Sequence, residues 1–486
     1  MTELPKILWS SINADMESDC ACPVAPTSST DVFVQSFSNA RFAINDDIYT
    51  KALGNGYYLF FNPINPRGVA VLNKAARDIL DTFSDRNHSA DSESSGKLFD
   101  SKQDVIEQLV KIDLLKPLGN VKSKQSGEML TELVAWLHVT NQCNLRCDYC
   151  FINKTSDFMS EEIGVRAIDS IFKSAKVNGF QRVKLKYAGG EPTLKFNLIR
   201  LIHERASELS SKMGIEIHEV VLSNGTVLRS DIVDYLVANQ IKLMISLDGI
   251  GTFNDEQRRT LGGQGTFQKI QKNLIMLREK KVTPIISITV SGRNHHGLGE
   301  LTKWLLSQKL PFTFNFYREN NLSKEFSDLP VENSELARSI LEALKEIQNA
   351  PPPYSILGML SDRARLDAYH EHTCGVGNSY MVIDHLGQIS KCHMHMNHPI
   401  TSVFAENPLV VIKQDQGSLQ NPNVVEKEGC KHCEWRYVCA GGCPALTLRM
   451  TGRTDIKSPY CDIYKMIFPK IVETEAIRLL KREEYL

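Results

Sequence analysis

The sequence predicts an α/β protein of several domains, built around a sheet of parallel strands. Residues 132–330 alternate short apolar segments with longer amphipathic ones, which is the order of parallel βα units. A hairpin-and-helix pattern precedes this region, and a cysteine-rich region follows it. With 486 residues, the chain has room for roughly two to four domains of about 150 residues each.

The start of the chain is predicted to be a flexible tail. Residues 1–32 are polar and end in the stretch DCACPVAPTSST, which has little apolar surface to bury. Cys20 and Cys22 lie in that stretch, and we interpret them as exposed thiols rather than as metal ligands.

Residues 33–125 are predicted to form a winged-helix-like α+β module. The segments Tyr57–Phe61 and Val69–Leu72 are rich in strand-forming residues and flank a Pro/Asn/Gly turn, as in a β-hairpin. Asn73 is then a plausible N-cap for a helix in KAARDILDTF. A polar loop, NHSADSESSG, separates that helix from a second one predicted in DVIEQLVKIDLL.

The central region, residues 130–330, contains six apolar segments that are predicted to be strands. Amphipathic helices such as SEEIGVRAIDSIFKSA lie between them. The active sites of parallel barrels lie where the strands end, so we expect the functional site at that edge. Residues 331–373 are predicted to be a helical bridge to the cysteine-rich region. The six segments are LVAWLHV, VKLKYA, IHEVVLS, IKLMISL, TPIISITV and FTFNFY.

Charge and cysteine content exclude several classes of protein. The 56 Lys and Arg residues nearly balance the 57 Asp and Glu residues, so neither nucleic acid nor a membrane is an expected partner. No apolar stretch approaches the roughly 20 residues of a membrane span, and the acidic start does not resemble a secretory signal. We therefore expect a cytoplasmic protein. In that compartment 12 cysteines are more often metal ligands or catalytic groups than disulfides, and ten of them fall in patterned groups.

The first of these groups is the run NQCNLRCDYCF, in which Cys143, Cys147 and Cys150 have the spacing C-x3-C-x2-C. Three thiolates on one loop can hold three irons of a 4Fe–4S cube. Because such clusters normally take four cysteine ligands, the fourth iron is open to a ligand from outside the protein. A zinc knuckle or three structural thiols are the alternatives. The spacing resembles that of the radical S-adenosylmethionine (radical SAM) superfamily.

This resemblance implies a partial (β/α)6, TIM-like barrel over residues 130–330. It also implies S-adenosyl-L-methionine (AdoMet) as a cofactor that chelates the open iron and is cleaved to a 5′-deoxyadenosyl radical. The motifs GGEP, SNG and SLDG at successive strand ends resemble family motifs, and NDEQR resembles HDxxR with Asn254 in place of His. The AdoMet contacts implied by the resemblance are Tyr149, Phe151, Gly189, Gly190, Glu191, Ser223, Asn224, Ser246, Asp248 and Arg258.

Seven further cysteines lie in residues 374–486, ordered C-x12-G-x4-C, then C-x2-C-x5-C-x3-C, then C. A zinc ribbon would need two C-x2-C pairs some 15–20 residues apart, and only one is present. The pattern resembles the SPASM extension of radical SAM enzymes, which implies two auxiliary clusters and three 4Fe–4S clusters in all. By that resemblance the inner cluster binds Cys374, Cys392 and Cys443, and the outer cluster binds Cys430, Cys433, Cys439 and Cys461.

The order of the regions resembles radical SAM/SPASM enzymes that modify ribosomally made precursor peptides. In that group a PqqD-like module (a RiPP recognition element), here residues 33–125, binds the peptide leader as an added strand. The resemblance implies hydrogen abstraction from the peptide and then formation of a thioether or carbon–carbon crosslink. It also implies an electron donor such as flavodoxin or ferredoxin, with the outer cluster suited to passing electrons.

Two alternatives stay open. Formylglycine-forming sulfatase maturases carry an extra Cys soon after the first SPASM Cys and an Asp directly after the second. Here CGVGNSYMVID has no second Cys, and His393 follows Cys392. A non-catalytic iron–sulfur redox protein would use the same fold without cleaving AdoMet.

The histidines of CHMHMNHP are candidates for proton transfer near the inner cluster. His393 is predicted to accept a proton when a substrate thiol or phenol is deprotonated. His395 and His398 are interpreted as polar surface residues. Arg318 and Glu319, at the end of the last barrel strand, are predicted to line the mouth of the substrate site.

Overall fold

The computed structural model describes residues 4–10, 41–84, 97–118 and 132–484. Two predictions lie outside these ranges, namely the exposed thiols of Cys20 and Cys22 and the polar loop NHSADSESSG. Among the described residues, no helix combines the length and the apolarity that a membrane crossing requires.

The N-terminal module consists of antiparallel strands and two helices. Its main sheet has the strand order first–fifth–fourth–third, and the second strand pairs with the sixth. The strands are β1 (Ile7–Trp9), β2 (Arg41–Ile44), β3 (Tyr49–Gly54), β4 (Tyr57–Phe61), β5 (Ala70–Asn73) and β6 (Leu115–Leu118), and the helices are α1 (Lys74–Asp81) and α2 (Lys97–Lys111).

The predicted hairpin and helix cap of this module are confirmed. Strand β4 pairs antiparallel with β5, and the Asn73 side chain accepts a hydrogen bond from the Ala76 N–H at 3.0 Å. The predicted flexible tail is wrong for Ile7–Trp9, which form β1. These residues pair with β5, and the side chains of Ile7 and Trp9 pack against the module's core.

Six parallel strands form the central sheet, and all six match the predicted segments. They follow one another in chain order with helices between them. The strands are β7 (Glu132–Thr140), β9 (Arg182–Gly189), β10 (Glu216–Ser223), β11 (Lys242–Ser246), β13 (Ile285–Val290) and β14 (Phe312–Phe316); β8 (Leu145–Cys147) and β12 (Arg258–Thr260) form a separate antiparallel ribbon. The helices are α3 (Glu161–Val177), α4 (Phe196–Met213), α5 (Ser230–Ala238), α6 (Thr252–Asp255), α7 (Phe267–Glu279), α8 (Leu298–Ser307) and α9 (Asn333–Asn349).

The C-terminal region extends this sheet. Strand β15 (Tyr380–Ile383) runs parallel to β7, with Tyr380 opposite Val134. Two short antiparallel strands follow, so that the sheet continues past β7 and, over the described residues, does not close into a ring. These strands are β16 (Gln388–Ser390) and β17 (Thr401–Ser402), and the helices are α10 (Pro408–Gln414), α11 (Arg436–Cys439), α12 (Pro444–Thr451) and α13 (Cys461–Arg482).

Side chains on the two faces of strand β7 pack in two different clusters, and one of these contains cysteines of the C-terminal region. Leu133 and Leu137 belong to the main apolar core, which the helices of the barrel also enter. Val134 and Trp136 point the other way, because side chains alternate along a strand. They pack in a second cluster that includes three cysteines of the C-terminal region, Cys374, Cys392 and Cys443.

Candidate active site

One cavity of about 250 Å³ lies at the carboxyl ends of the central strands, where the barrel meets the C-terminal region. Carboxyl ends of parallel strands share one edge of the sheet, so residues far apart in sequence converge there. The cavity brings together the first cysteine loop, most of the predicted AdoMet contacts and part of the inner cysteine set. The predicted residues that line it are Cys143, Cys147, Cys150, Tyr149, Phe151, Gly189, Gly190, Ser223, Asn224, Ser246, Arg258, Cys392, His393 and Cys443.

The loop after β7 presents three cysteines to this cavity. The Leu145 N–H donates to the Cys143 sulfur at 3.4 Å, and β8 pairs with β12 so that Cys147 lies opposite Arg258. Burial raises the pKa of the Cys143 thiol and raises the pKa of Cys147 to about 12, and the nearby Cys150 thiol adds to both. Ligand binding by these thiols therefore requires a metal centre that displaces their protons.

Gly189 and Gly190 are required by the close approach of the cysteine loop. The φ angle of Gly189 is +148°, and a Cβ atom there would lie 2.3 Å from the Thr140 carbonyl oxygen. A Cβ atom on Gly190 would lie 2.3 Å from the Gln142 carbonyl oxygen. The two glycines therefore let the end of β9 lie against the loop, with their backbone on the cavity wall.

Glu191, which was predicted to contact AdoMet, lies behind the cavity wall. The residue is fully buried. Its carboxylate accepts hydrogen bonds from the Thr193 N–H at 3.1 Å, the Ser223 hydroxyl at 3.0 Å and the Asn224 N–H at 2.7 Å. Burial raises the pKa of Glu191, although these hydrogen bonds act to lower it. The side chain joins the ends of β9 and β10 and so fixes the wall from behind.

Asn224 links the SNG turn to the cysteine loop. Its side-chain amide donates to the Asn144 carboxamide oxygen at 2.8 Å and reaches the Cys143 sulfur at 3.9 Å. Its own oxygen accepts from the Thr226 N–H at 2.9 Å. The turn therefore holds both Asn224 and Cys143 in place at the cavity.

Tyr149, Asp248 and Arg258 form one buried network at the cavity. The Tyr149 hydroxyl donates to Asp248 at 2.7 Å and accepts from the Arg258 guanidinium, which lies 3.6 Å from the same carboxylate. Asp248 also accepts from the Gln257 amide at 3.0 Å and the Thr289 N–H at 2.8 Å. Tyr149 and Arg258 reach the cavity, whereas Asp248, also predicted as an AdoMet contact, holds them from behind.

Asn254 explains how the chain manages without the histidine of HDxxR. Its side-chain oxygen accepts from the Asp248 N–H at 3.2 Å, and its amide donates to the Thr266 hydroxyl at 3.0 Å. The residue is fully buried and fixes the loop that carries Arg258.

The seven C-terminal cysteines form two groups. Cys374, Cys392 and Cys443 pack in one buried cluster, and the last two line the cavity. Burial raises the pKa of Cys374 to about 11, with the Cys443 thiol adding to it. In the second group, burial raises the pKa of Cys439 to about 12, and the thiols that add to this rise are those of Cys430, Cys433 and Cys461.

The chemistry of these donors suits iron–sulfur clusters, because soft thiolate ligands are the ones that such clusters take. All ten cysteines of the described residues are free thiols. Within the same residues, no three Cys, His, Asp or Glu side chains form a group that could hold a single metal ion.

His393 lies between the two cysteine sets that reach the cavity. Its ring stacks on Trp136 at 4.6 Å, and its Nδ1 is 3.1 Å from the Tyr380 hydroxyl. Burial and then the positive charge of Arg363 hold its pKa well below the usual value. His395 is half-buried and His398 is exposed, in line with their interpretation as surface residues.

Of the two residues predicted to line the mouth of the substrate site, the structure places one at the cavity. Arg318 does line the cavity and is held by Asp362 at 2.6 Å. Glu319 instead lies on the surface, 3.4 Å from Arg449. Trp136 and Arg363 were missed. Trp136 lies inside an apolar strand, and nothing in the sequence shows which face it occupies.

Residues 137–305 match the family model described as the radical SAM superfamily. This central part of the chain is therefore similar to radical SAM domains. An uncharacterized protein of Methanocaldococcus jannaschii is 30% identical over 172 residues, which are 35% of this chain and 57% of that protein. A cysteine-type anaerobic sulfatase-maturating enzyme of Clostridium perfringens is 20% identical over 362 residues, covering 67% of this chain and 92% of the enzyme.

The antilisterial bacteriocin subtilosin biosynthesis protein AlbA of Bacillus subtilis is 23% identical over 295 residues, covering 57% of this chain and 59% of that protein. The chain thus spans less than two thirds of the length of AlbA and of the M. jannaschii protein.

Two solved structures have folds similar to that of this chain. Native anSMEcpe with bound AdoMet has a TM-score of 0.57 at 17% identity and covers 71% of this chain and 99% of its own. SuiB of Streptococcus suis bound to its precursor peptide SuiA has a TM-score of 0.52 at 17% identity and covers 86% of this chain and 99% of its own.

Proposed function

We propose that this protein is a radical SAM peptide maturase that abstracts a hydrogen from a ribosomally made precursor peptide and closes a thioether or carbon–carbon crosslink. The observation that carries the proposal is the shared cavity, which Cys143, Cys147 and Cys150 line together with Cys392 and Cys443. A substrate side chain in that cavity would be within reach of both cysteine sets. Such an arrangement suits a reaction with one step of hydrogen abstraction and one of electron removal.

The first cysteine loop would hold the AdoMet-binding cluster, and the two C-terminal groups would hold the auxiliary clusters. When bound, these groups supply a primary radical and an acceptor for the surplus electron. The protein's own contribution is positioning, because a primary radical attacks whichever C–H bond it meets. Gly189 and Gly190 would bring backbone groups to AdoMet, and the buried Arg258 guanidinium would meet its carboxylate.

Trp136, Phe151 and His393 would shape the part of the cavity that receives the peptide. The His393 ring lies within contact distance of both other rings, with its centroid 4.6 Å from that of Trp136 and 5.6 Å from that of Phe151. Their packing would exclude water from the radical. His393, whose Nδ1 is 3.1 Å from the Tyr380 hydroxyl, is our candidate for accepting the proton of the substrate thiol or phenol.

The N-terminal module offers a site for the leader of the peptide. Strand β3 is an edge strand of the antiparallel sheet, and its residues are largely exposed. Beside it lies a groove of about 470 Å³ that combines apolar walls with two cations. An extended peptide can add to such an edge and place alternate side chains in the groove. We expect a leader with apolar residues at alternate positions. The groove residues are Ile44, Asn45, Ile48, Thr50, Lys51, Ala52, Tyr58, Phe60, Arg77, Leu80 and Asp81.

The relatives favour a peptide or protein substrate, since they include a bacteriocin biosynthesis protein and sulfatase-maturating enzymes. Formylglycine formation is the second candidate because of the latter. His393 stands where those enzymes carry Asp, and the stacking of its ring on Trp136 gives it a different role.

The proposal is tested by measuring 5′-deoxyadenosine and peptide mass with the full-length, anaerobically reconstituted enzyme. We expect reductive AdoMet cleavage that Cys143→Ala abolishes. Arg77→Glu should weaken leader binding at least tenfold, whereas Lys74→Glu, an exposed change on the same helix α1, should not. Unchanged affinity for the leader in Arg77→Glu would show that the groove is not the leader site. Retained AdoMet cleavage in Cys143→Ala would contradict the assignment of the first cysteine loop as the cluster site.

A further inference from the structure

Lys427 carries a positive charge inside the protein, at the junction of the two C-terminal cysteine groups. The residue is 1% exposed. Its ammonium donates a hydrogen bond to the Ala440 carbonyl at 2.8 Å. Its own carbonyl accepts from the Cys430 N–H at 3.0 Å, so the lysine is joined directly to an outer cysteine.

The turn that receives this ammonium connects the outer group to the inner one. It reads CAGGC, from Cys439 to Cys443. The φ angles of Ala440, Gly441 and Gly442 are all positive, at 44°, 78° and 73°. A Cβ atom on Gly441 would lie 2.5 Å from Cδ and 3.0 Å from Nζ of Lys427. Glycine at this position therefore lets the turn close around the lysine side chain.

Thr373 locks the same turn from the inner side. Its hydroxyl lies 2.9 Å from the Ala440 carbonyl and 2.7 Å from the Gly442 carbonyl, and the next residue is Cys374. The lysine, the turn and Thr373 thus form one unit. It is continuous with three cysteines, Cys374, Cys439 and Cys443.

A buried ammonium is unfavourable unless negative charge lies near it. Burial lowers the pKa of Lys427, and the groups that oppose this are the thiols of both sets, Cys430, Cys374, Cys439 and Cys443. Iron–sulfur clusters ligated by thiolates carry net negative charge, which becomes more negative on reduction. That charge is one of the factors that set their potentials. The clusters are thus the groups that would compensate this cation.

We propose that Lys427 sets the reduction potentials of both auxiliary clusters together, by placing one fixed positive charge between them. The cation stabilises the reduced form of each cluster and raises both reduction potentials, so that each auxiliary cluster accepts an electron more readily than it would without this charge. This inference rests on the proposed function only in requiring that the two auxiliary clusters exist.

The test is an EPR-monitored redox titration of the full-length holoenzyme, without peptide, with iron measured per chain. Lys427→Met removes the charge at nearly constant volume. We expect the midpoint potentials of both auxiliary clusters to become more negative by about 59 mV. For a one-electron couple this corresponds to a tenfold change in the equilibrium constant for reduction. The cluster on Cys143, Cys147 and Cys150 serves as the internal reference and should not move.

Lys457→Met is the matched control. Lys457 is exposed, and its charge also acts on Cys430 and Cys461. Solvent and salt screen an exposed charge, so its removal should shift the midpoints much less. Equal shifts in the two variants, or a shift of one auxiliary cluster alone, would overturn the proposal.

Lys427→Arg covers the case in which the Met variant loses iron. It retains the charge, so we expect full iron content and midpoints near those of the wild type; loss of both auxiliary clusters in Lys427→Arg as well would overturn the proposal. A wild-type chain that binds one cluster would instead overturn the cluster assignment behind the proposed function. Three clusters with midpoints that do not respond to Lys427→Met would reject only the role of Lys427.

Discussion

The inner and outer cysteine groups lie side by side in the C-terminal region and have different surroundings. Cys392 and Cys443 of the inner group open into the cavity that also contains the first cysteine loop. In the outer group, Cys433 and Cys461 are half-buried, and Trp435 between Cys433 and Cys439 stacks on Phe61 of the N-terminal module at 5.8 Å.

The C-terminal cysteines thus lie in two different environments. The inner group belongs to the cavity, where the proposed chemistry takes place. The outer group lies away from this cavity, with Cys430 buried and its other three cysteines half-buried, and its segment contacts the module that is proposed to bind the leader. This difference separates residues expected to affect bond formation from residues expected to affect electron exit and module docking.

The largest expected effect distinguishes the two groups directly. Cys443→Ala should abolish crosslinked product while 5′-deoxyadenosine still forms, because it removes a proposed thiolate ligand of the inner cluster and leaves the first cysteine loop intact. Cys433→Ala should retain product from a first turnover and lose later ones, because the inner group is intact. Mass spectrometry of peptide and nucleoside from one reaction checks both. Equal loss of first-turnover product in the two variants would contradict the division.

A second change addresses the cavity side alone. Arg258→Lys keeps the charge but loses the planar contact with Tyr149 and the fit to a carboxylate. We expect the KM for AdoMet to rise about tenfold, the scale of one charge-assisted hydrogen bond. Arg259→Lys, an exposed change on the same strand β12, should leave it unchanged, and AdoMet cleavage kinetics measure both. An unchanged KM in Arg258→Lys would show that Arg258 does not contact AdoMet.

A third change addresses the module side alone. Glu473 on α13 accepts from the Tyr49 hydroxyl at 2.8 Å and pairs with Lys51 at 2.9 Å. Glu473→Gln should destabilise docking of the module by about 1 kcal/mol, the usual net worth of a hydrogen bond, without changing AdoMet cleavage. Hydrogen exchange of β3 is the measurement.

The exposed pair between Lys6 and Glu483, at 3.8 Å, provides a control for this prediction. Glu483→Gln should have almost no effect, because surface ion pairs are worth little. Faster exchange in β3 from Glu483→Gln but not from Glu473→Gln would place the docking contact elsewhere.

The smallest expected effect concerns a buried pair that belongs neither to the cavity nor to the N-terminal module, and it provides a baseline for thermal stability. His203 is 2.6 Å from Glu219, and this hydrogen bond raises the pKa of His203 above its usual 6.5. A raised pKa stabilises the fold below about pH 6.5 and loses that contribution as the pH rises through the folded-state value. His203→Gln should therefore lower Tm more at pH 6 than at pH 9. A Tm difference independent of pH would contradict this, and AdoMet cleavage should not change at either pH.

Long apolar runs made the six parallel strands predictable, because each run is bounded by a helix of clear amphipathic period. Strand β15 was missed because YMVI is only four residues long and pairs with β7, which is distant in sequence. The ten cysteines that we propose as ligands were singled out by their spacing and by its resemblance to radical SAM and SPASM patterns. Their distribution between the cavity and the rest of the C-terminal region depends on tertiary packing, which spacing does not encode.

The AdoMet motifs show the same limit. Order along the chain placed Gly190 and Glu191 together at one strand end, and both were predicted to contact AdoMet. In the structure the Gly190 backbone reaches the cavity, whereas the Glu191 carboxylate is turned into the protein by Ser223 and Asn224. A sequence identifies which strand end carries a motif, and the direction of each side chain follows from its hydrogen-bond partners.

The central claim is tested most directly by mass spectrometry of a candidate precursor peptide, co-expressed anaerobically with the enzyme. The account predicts the loss of two hydrogens per modified site and fragmentation that is blocked between the two joined residues. An unmodified peptide, recovered beside enzyme that still cleaves AdoMet, would contradict the assignment as a crosslinking peptide maturase.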